Sequence, residues 1–261
     1  IKYIDGSEFS EYDIPSIGQT LVIFCSQSGE TKDLHRAINV AKINNCLTMG
    51  IINVVNSLIA KEVDCGIYLN AGREVAVAST KSFTSMILVL SLFSLWIKKK
   101  LNTNFIFNKN YNDLMNLSND INYTLKICEK INNNIITQLN KHSLFILGKN
   151  KMEAIANEGA LKIKEISYIH AEGYNGSSLK HGPFALLSNE FPCILLINNE
   201  NKSKMLNTYE EIYSRSNNIL IITEIVDLII HDDTKVIIVP ENKCYQEVLY
   251  IIVLQYIAYL L

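Results

Sequence analysis

A series of short apolar runs, each followed by a stretch with helical periodicity, most narrows the folds open to this chain. Residues 21–25 (LVIFC), 48–52 and 64–69 are strand-length and apolar, and between them Leu34, Ala37, Ile38 and Ala41 recur at helical spacing. Strands of this kind, alternating with helices, build a parallel sheet with crossover helices on its faces. The sequence then predicts a long helix from Thr80 or Lys81 to Lys100. Residues 102–141 are polar and Asn-rich, with Leu114, Leu117, Ile121, Leu125 and Cys128 spaced as in a helical linker. The strand pattern restarts at residues 143–147, which end at Gly148, and a strong helix covers 152–168. Residues 193–197, 219–222 and 235–239 are further strands, with a last helix after Gln246. The chain therefore reads as two copies of one α/β layout, residues 1–101 and 142–261, joined by the linker at 102–141.

At 261 residues and 48% hydrophobic content, two medium domains with full cores are expected. A net charge of −2 supplies no basic field for nucleic acid or an anionic membrane. The six cysteines (Cys25, Cys46, Cys65, Cys128, Cys193, Cys244) show no CxxC spacing, which argues for a reducing, cytoplasmic setting and against a metal site. Residues 86–97 and 249–261 are apolar but shorter than the roughly 20 residues of a membrane-spanning helix. Both read as buried helices suited to a subunit interface, and Lys98, Lys99 and Lys100 as a solvated helix end.

Three motifs carry chemistry. Ser26, Gln27, Ser28, Gly29, Glu30 and Thr31 (SQSGET) directly follow the first strand and open a helix. Free N–H groups at a helix start, the helix dipole and three hydroxyls around one glycine form an anion site without a basic residue, suited to a small phosphorylated metabolite. The plain alternative is a serine N-cap followed by a capping Glu or Thr. The second motif places Glu158, Lys162 and Glu165 on one helical face, either as an exposed charge ladder or as a proton-transfer group. Gly159 within that helix predicts close approach by a neighbour. Residues 173–178 read as a loop leading to Lys180, His181, Gly182 and Pro183, where His181 is the best-placed histidine for chemistry; His170 reads as a hydrogen-bonded helix-end residue. In the third motif, AGREVAVASTKSFTS, Ser79, Thr80 and Thr84 gather where a loop enters the long helix, as an N-cap or as contacts to an anion or sugar.

In this order SQSGET, AGREVAVASTK and EGALKIKEISYIHAEGY with LKHGP resemble the isomerase half of isomerising glutamine–fructose-6-phosphate aminotransferases, from about Tyr3 to Leu261. The resemblance implies two tandem sugar isomerase (SIS) domains, each a five-stranded parallel sheet in a three-layer α/β/α sandwich, usually assembled as a homodimer. It implies that Ser26, Gln27, Ser28 and Thr31 hold the phosphate of fructose 6-phosphate and that Val77 and Ser79 contact the sugar. Glu165 would move the proton between C1 and C2, Lys162 would stabilise the enolic intermediate, and His181 would assist ring opening from the neighbouring subunit. No cofactor is implied. The product would be glucosamine 6-phosphate, with ammonia from a glutaminase domain that nothing in this sequence matches. The family's first SIS strand and its C-terminal lysine tail are also without counterpart. Ser178 stands where the family usually has glutamate. A non-catalytic sugar-phosphate sensor, or a deglycase or simple isomerase of the same superfamily, are the other readings.

Overall fold

The first apolar run forms β1 (Leu21–Ser26), and α1 (Lys32–Ile43), β2 (Leu47–Ile52), α2 (Leu58–Glu62), β3 (Cys65–Tyr68) and α3 (Lys81–Leu101) follow it. This computed structural model describes residues 1–102 and 108–261 and divides into two units, residues 1–106 and 107–261.

In the first unit the strands are parallel in the order β1-β2-β3, with Leu21 opposite Leu47 and Met49 opposite Cys65. Ala37, Ile38 and Ala41 of α1 share one face and pack with Phe24, Ile52, Ile59 and Phe9. The start of β3 is tied to β2 by Asp64. Its carboxylate accepts hydrogen bonds from Thr48 N at 2.8 Å and Thr48 Oγ1 at 2.7 Å, which hold its pKa down.

The long helix α3 forms where expected but is not buried. Only Ser82 and Leu95 are buried along its 21 residues, and Trp96 and Leu92 are exposed. An apolar run is buried only where another element lies over it, and within this unit no other described element covers most of α3. By length and composition it could cross a membrane, but the core helix of a soluble protein can pass the same test.

The second unit contains α4 (Asn108–Cys128), α5 (Asn133–Leu139), β4 (Ser143–Gly148), α6 (Lys151–Ser167), β5 (His170–Asn175), β6 (Cys193–Ile197), α7 (Lys202–Tyr213), β7 (Ile219–Thr223), β8 (Lys235–Ile238) and α8 (Gln246–Leu260). Residues 103–107 of the expected linker lie outside the described residues. Asn242 ties α4 to the segment before α8, donating to Asp113 O at 2.9 Å and Asp120 Oδ2 at 2.8 Å.

All five strands of this sheet are parallel, in the order β5-β4-β6-β7-β8. Alternation sends Phe145, Leu147, Cys193, Leu195, Ile219 and Ile221 into a core with Met205, Tyr209 and Ile212 of α7. Their neighbours Leu144, Ile146, Ile194, Leu196, Leu220 and Ile222 are also buried and point to the opposite face, where α6 and α8 pack. This is the three-layer sandwich. The first unit has three strands among its described residues, against the five that the resemblance implies for each half.

Gly159 is the contact point between α6 and α8. A Cβ added there would lie 2.4 Å from Leu254 Cδ1, so glycine is what allows the helices to approach. The expected loop at 173–178 is partly a strand, since residues up to Asn175 belong to β5. His170 likewise begins that strand instead of ending α6, with its Nδ1 2.9 Å from Ser143 Oγ. As an edge strand β5 needs no continuous apolar run, so HAEGYN carries little strand signal. Tyr168, left-handed at φ +61°, ends α6 and turns the chain into it.

Candidate functional site

In the first unit, SQSGET wraps the C-terminal end of β1 and the start of α1. Gly29 sits at φ +67°, a left-handed conformation that reverses the chain between the strand and the helix. Ser26 is buried; its Oγ accepts the Gly29 N–H at 3.0 Å and lies 3.3 Å from Thr31 Oγ1. Ser28 Oγ accepts the Glu30 N–H at 3.2 Å, leaving its own proton free to donate outward. Thr31 holds the N-cap position of α1 with extended backbone, and its side chain makes no bond to the helix's own N–H groups. The helix start is therefore not closed by its own cap, as it would be in a plain capping motif.

An open cleft of about 360 Å³ lies over this loop, with Ser26, Gln27, Ser28 and Thr31 in its wall. The sequence had not pointed to the rest of the lining, which includes Asp5, Ser7, Asp33 and Leu34. The Asp5 carboxylate is already occupied, accepting bonds from Ser7 N at 2.9 Å and Ser7 Oγ at 2.6 Å that lower its pKa. Hydroxyls, backbone N–H groups and a helix start are the donor types that can receive a phosphate-sized anion.

The start of α3 differs. Its N–H groups are served by Glu74, whose Oε1 accepts from Thr80 N at 2.9 Å, Ser82 N at 2.8 Å and Ser82 Oγ at 2.8 Å. Burial pushes the Glu74 carboxyl up, but the hydrogen bonds from Ser82 and Thr80, with the Lys81 charge nearby, together hold it below its ordinary value. The cap is thus a glutamate six residues before Thr80, too far back to match a capping box. Ser79 is half-buried and Val77 almost fully exposed in the loop before α3.

In the second unit, Glu158, Lys162 and Glu165 meet on one face of α6. Lys162 is 2% exposed, with Nζ 2.5 Å from Glu165 Oε2 and 3.4 Å from Glu158 Oε1. This is not an exposed ladder: a lysine sealed this far from water needs both carboxylates to offset its lost hydration. Burial raises the Glu158 pKa above its ordinary value, with Lys162 opposing and Glu165 adding to the rise. Glu165 is half-buried, so one carboxylate oxygen is held by lysine while the group keeps contact with solvent.

His181 is exposed at the end of a short 3-10 turn, Ser178–His181, before Gly182 at φ +136°. No hydrogen bond or ion pair joins it to Lys162 or Glu165 among the described residues. Lys149 donates a hydrogen bond to Ser177 Oγ, one residue before Ser178.

The SIS domain family matches residues 5–95 and 139–261. A probable glutamine–fructose-6-phosphate aminotransferase (isomerising) of Acanthamoeba polyphaga mimivirus is 48% identical over 246 residues, covering 90% of this chain. The corresponding aminotransferase of Chlorobaculum tepidum is 36% identical over 92% of the chain. The chain spans 40% of the length of each of these relatives. Among solved structures, the C-terminal domain of glucosamine-fructose-6-phosphate aminotransferase from Francisella tularensis superposes with a TM-score of 0.87 at 32% identity, over 95% of this chain and 72% of that one. These matches cover both halves, the SQSGET loop and the Glu158–Lys162–Glu165 helix alike, and the chain belongs to the SIS domain family, similar along nearly its whole length to the C-terminal part of isomerising glutamine–fructose-6-phosphate aminotransferases.

Proposed function

We propose that this chain is the sugar-phosphate isomerase part of an enzyme that makes glucosamine 6-phosphate from fructose 6-phosphate and glutamine-derived ammonia. The observation that carries the reading is the buried Lys162 ammonium, 2.5 Å from the half-buried Glu165 carboxylate. A carboxylate base beside a fixed cation is what proton transfer next to a carbonyl requires. On this reading Glu165 takes a proton from C1 and returns it to C2, while Lys162 stabilises the negative charge on the enolic oxygen between the two steps. Ser26, Gln27, Ser28 and Thr31 hold the phosphate, Val77 and Ser79 contact the sugar, and His181 assists ring opening from a neighbouring subunit of a homodimer. A glutaminase domain supplies the ammonia, and the enzyme works in the cytoplasm.

The test is NMR of fructose 6-phosphate incubated with the chain in deuterated water. Deuterium entering at C1, or glucose 6-phosphate accumulating, supports the isomerase. Shifted phosphate resonances without exchange would replace it with a sugar-phosphate sensor.

A further inference from the structure

The phosphate loop is anchored to α2. Glu30 turns its carboxylate onto the first turn of α2, where Oε1 accepts the Leu58 N–H at 2.9 Å. One residue back in the loop, Gly29 O accepts the Ile59 N–H at 3.0 Å. The buried Ser57 side chain packs on Gly29 so tightly that an added Cβ would lie 2.0 Å from Ser57 Oγ. α2 is in turn tied to α1, through His35 Nδ1 at 2.7 Å from Glu62 Oε2 and a hydrogen bond from Lys42 Nζ to Glu62 O.

An acidic side chain in an anion-binding loop is a liability, since it repels the ligand. Here the carboxylate is directed to a different helix and accepts a backbone N–H there. From this geometry we infer that Glu30 is a positioning residue for phosphate recognition. By capping α2 it sets the conformation of residues 28–31, and it does not touch the phosphate. The inference rests on the reading of SQSGET as the phosphate site.

Two variants delete the same hydrogen bond from opposite ends. Glu30→Ala removes the acceptor. Leu58→Pro removes the donor, and Leu58 is exposed at the first position of its helix, where proline is tolerated. Glu30→Gln keeps an acceptor oxygen and discards the charge. The readouts are the Kd for inorganic phosphate followed by NMR, and the KM and kcat for fructose 6-phosphate.

Each deleting variant is expected to weaken phosphate binding about fivefold, equivalent to about 1 kcal/mol for a lost cap. The double variant should be no weaker than either single one, Glu30→Gln should stay close to wild type, and the loss should fall on KM with kcat retained. Tighter binding by both Glu30→Ala and Glu30→Gln would overturn the inference, because the carboxylate would then act only by repulsion. Losses that multiply in the double variant would also overturn it, since the two groups would act separately. Wild-type chain that binds no phosphate would instead remove the phosphate-site reading on which the inference stands.

Discussion

Lys162 Nζ and Glu165 Oε2 stand 2.5 Å apart on consecutive turns of α6, with the lysine almost sealed from water and the glutamate only half-buried. This asymmetry separates the pair from an ordinary surface i, i+3 contact, which contributes only a few tenths of a kcal/mol. The buried cation is fixed in place, while the carboxylate beside it keeps contact with solvent.

Glu165→Gln keeps a hydrogen-bond acceptor beside Lys162 and removes the base. C1 deuterium incorporation from solvent is expected to fall by about 10²- to 10⁴-fold, the usual span for a general base. Phosphate titration should give an unchanged Kd. Exchange at the wild-type rate would take Glu165 out of the chemistry.

Lys162→Met replaces the cation with an apolar chain of similar length and leaves Glu158 and Glu165 without a counter-charge. Removing one partner of a buried pair costs about 3–5 kcal/mol. Urea unfolding should show a large loss at neutral pH and a smaller one in acid, where Glu158, its pKa raised by burial, takes up a proton. A loss equal at both pH values would mean packing, not charge, sets the cost.

Glu158 has a folded pKa raised above its ordinary 4.5, chiefly by burial. A raised carboxyl contributes stability that is fully present below pH 4.5 and is lost as pH rises through the folded pKa. Whatever Glu158→Gln costs at Lys162, the difference from wild type should therefore shift in the variant's favour as pH rises above about 4.5. Parallel stability curves for the two proteins would contradict the assignment.

Glu74 behaves oppositely, because its folded pKa is depressed below 4.5. Its contribution is present above that value and lost as pH falls through the folded pKa. Glu74→Ala should cost about 1 kcal/mol at pH 7, the size of a lost helix cap, and less in acid. Hydrogen exchange at the start of α3 would locate the effect, with faster exchange at Ser82 in the variant.

Gly29→Ala places a side chain at φ +67° and 2.0 Å from Ser57 Oγ. The left-handed backbone alone costs about 1–2 kcal/mol. Adding Ser57→Gly should relieve the clash and recover part of the stability, leaving the backbone strain. Recovery to the wild-type midpoint would show that Gly29 is there only for space.

Much of the fold was legible because it rests on local signals. Buried parallel strands such as residues 193–197 and 219–223 must be apolar on both faces, and residues 37, 38 and 41 declare one side of α1 by their spacing. The i, i+3 and i, i+4 spacing of Glu158, Lys162 and Glu165 likewise put them on one face, because the helical repeat dictates it. What that spacing could not tell was whether the face is wet or dry, and the packing of the second unit decided this by sealing Lys162. Tertiary contacts also decided that apolar α3 remains largely uncovered in its unit, that HAEGYN is an edge strand, that Glu74 caps α3 and that Glu30 reaches α2. Each depends on groups distant in sequence or on what covers a surface, and the local periodicity of a chain records neither.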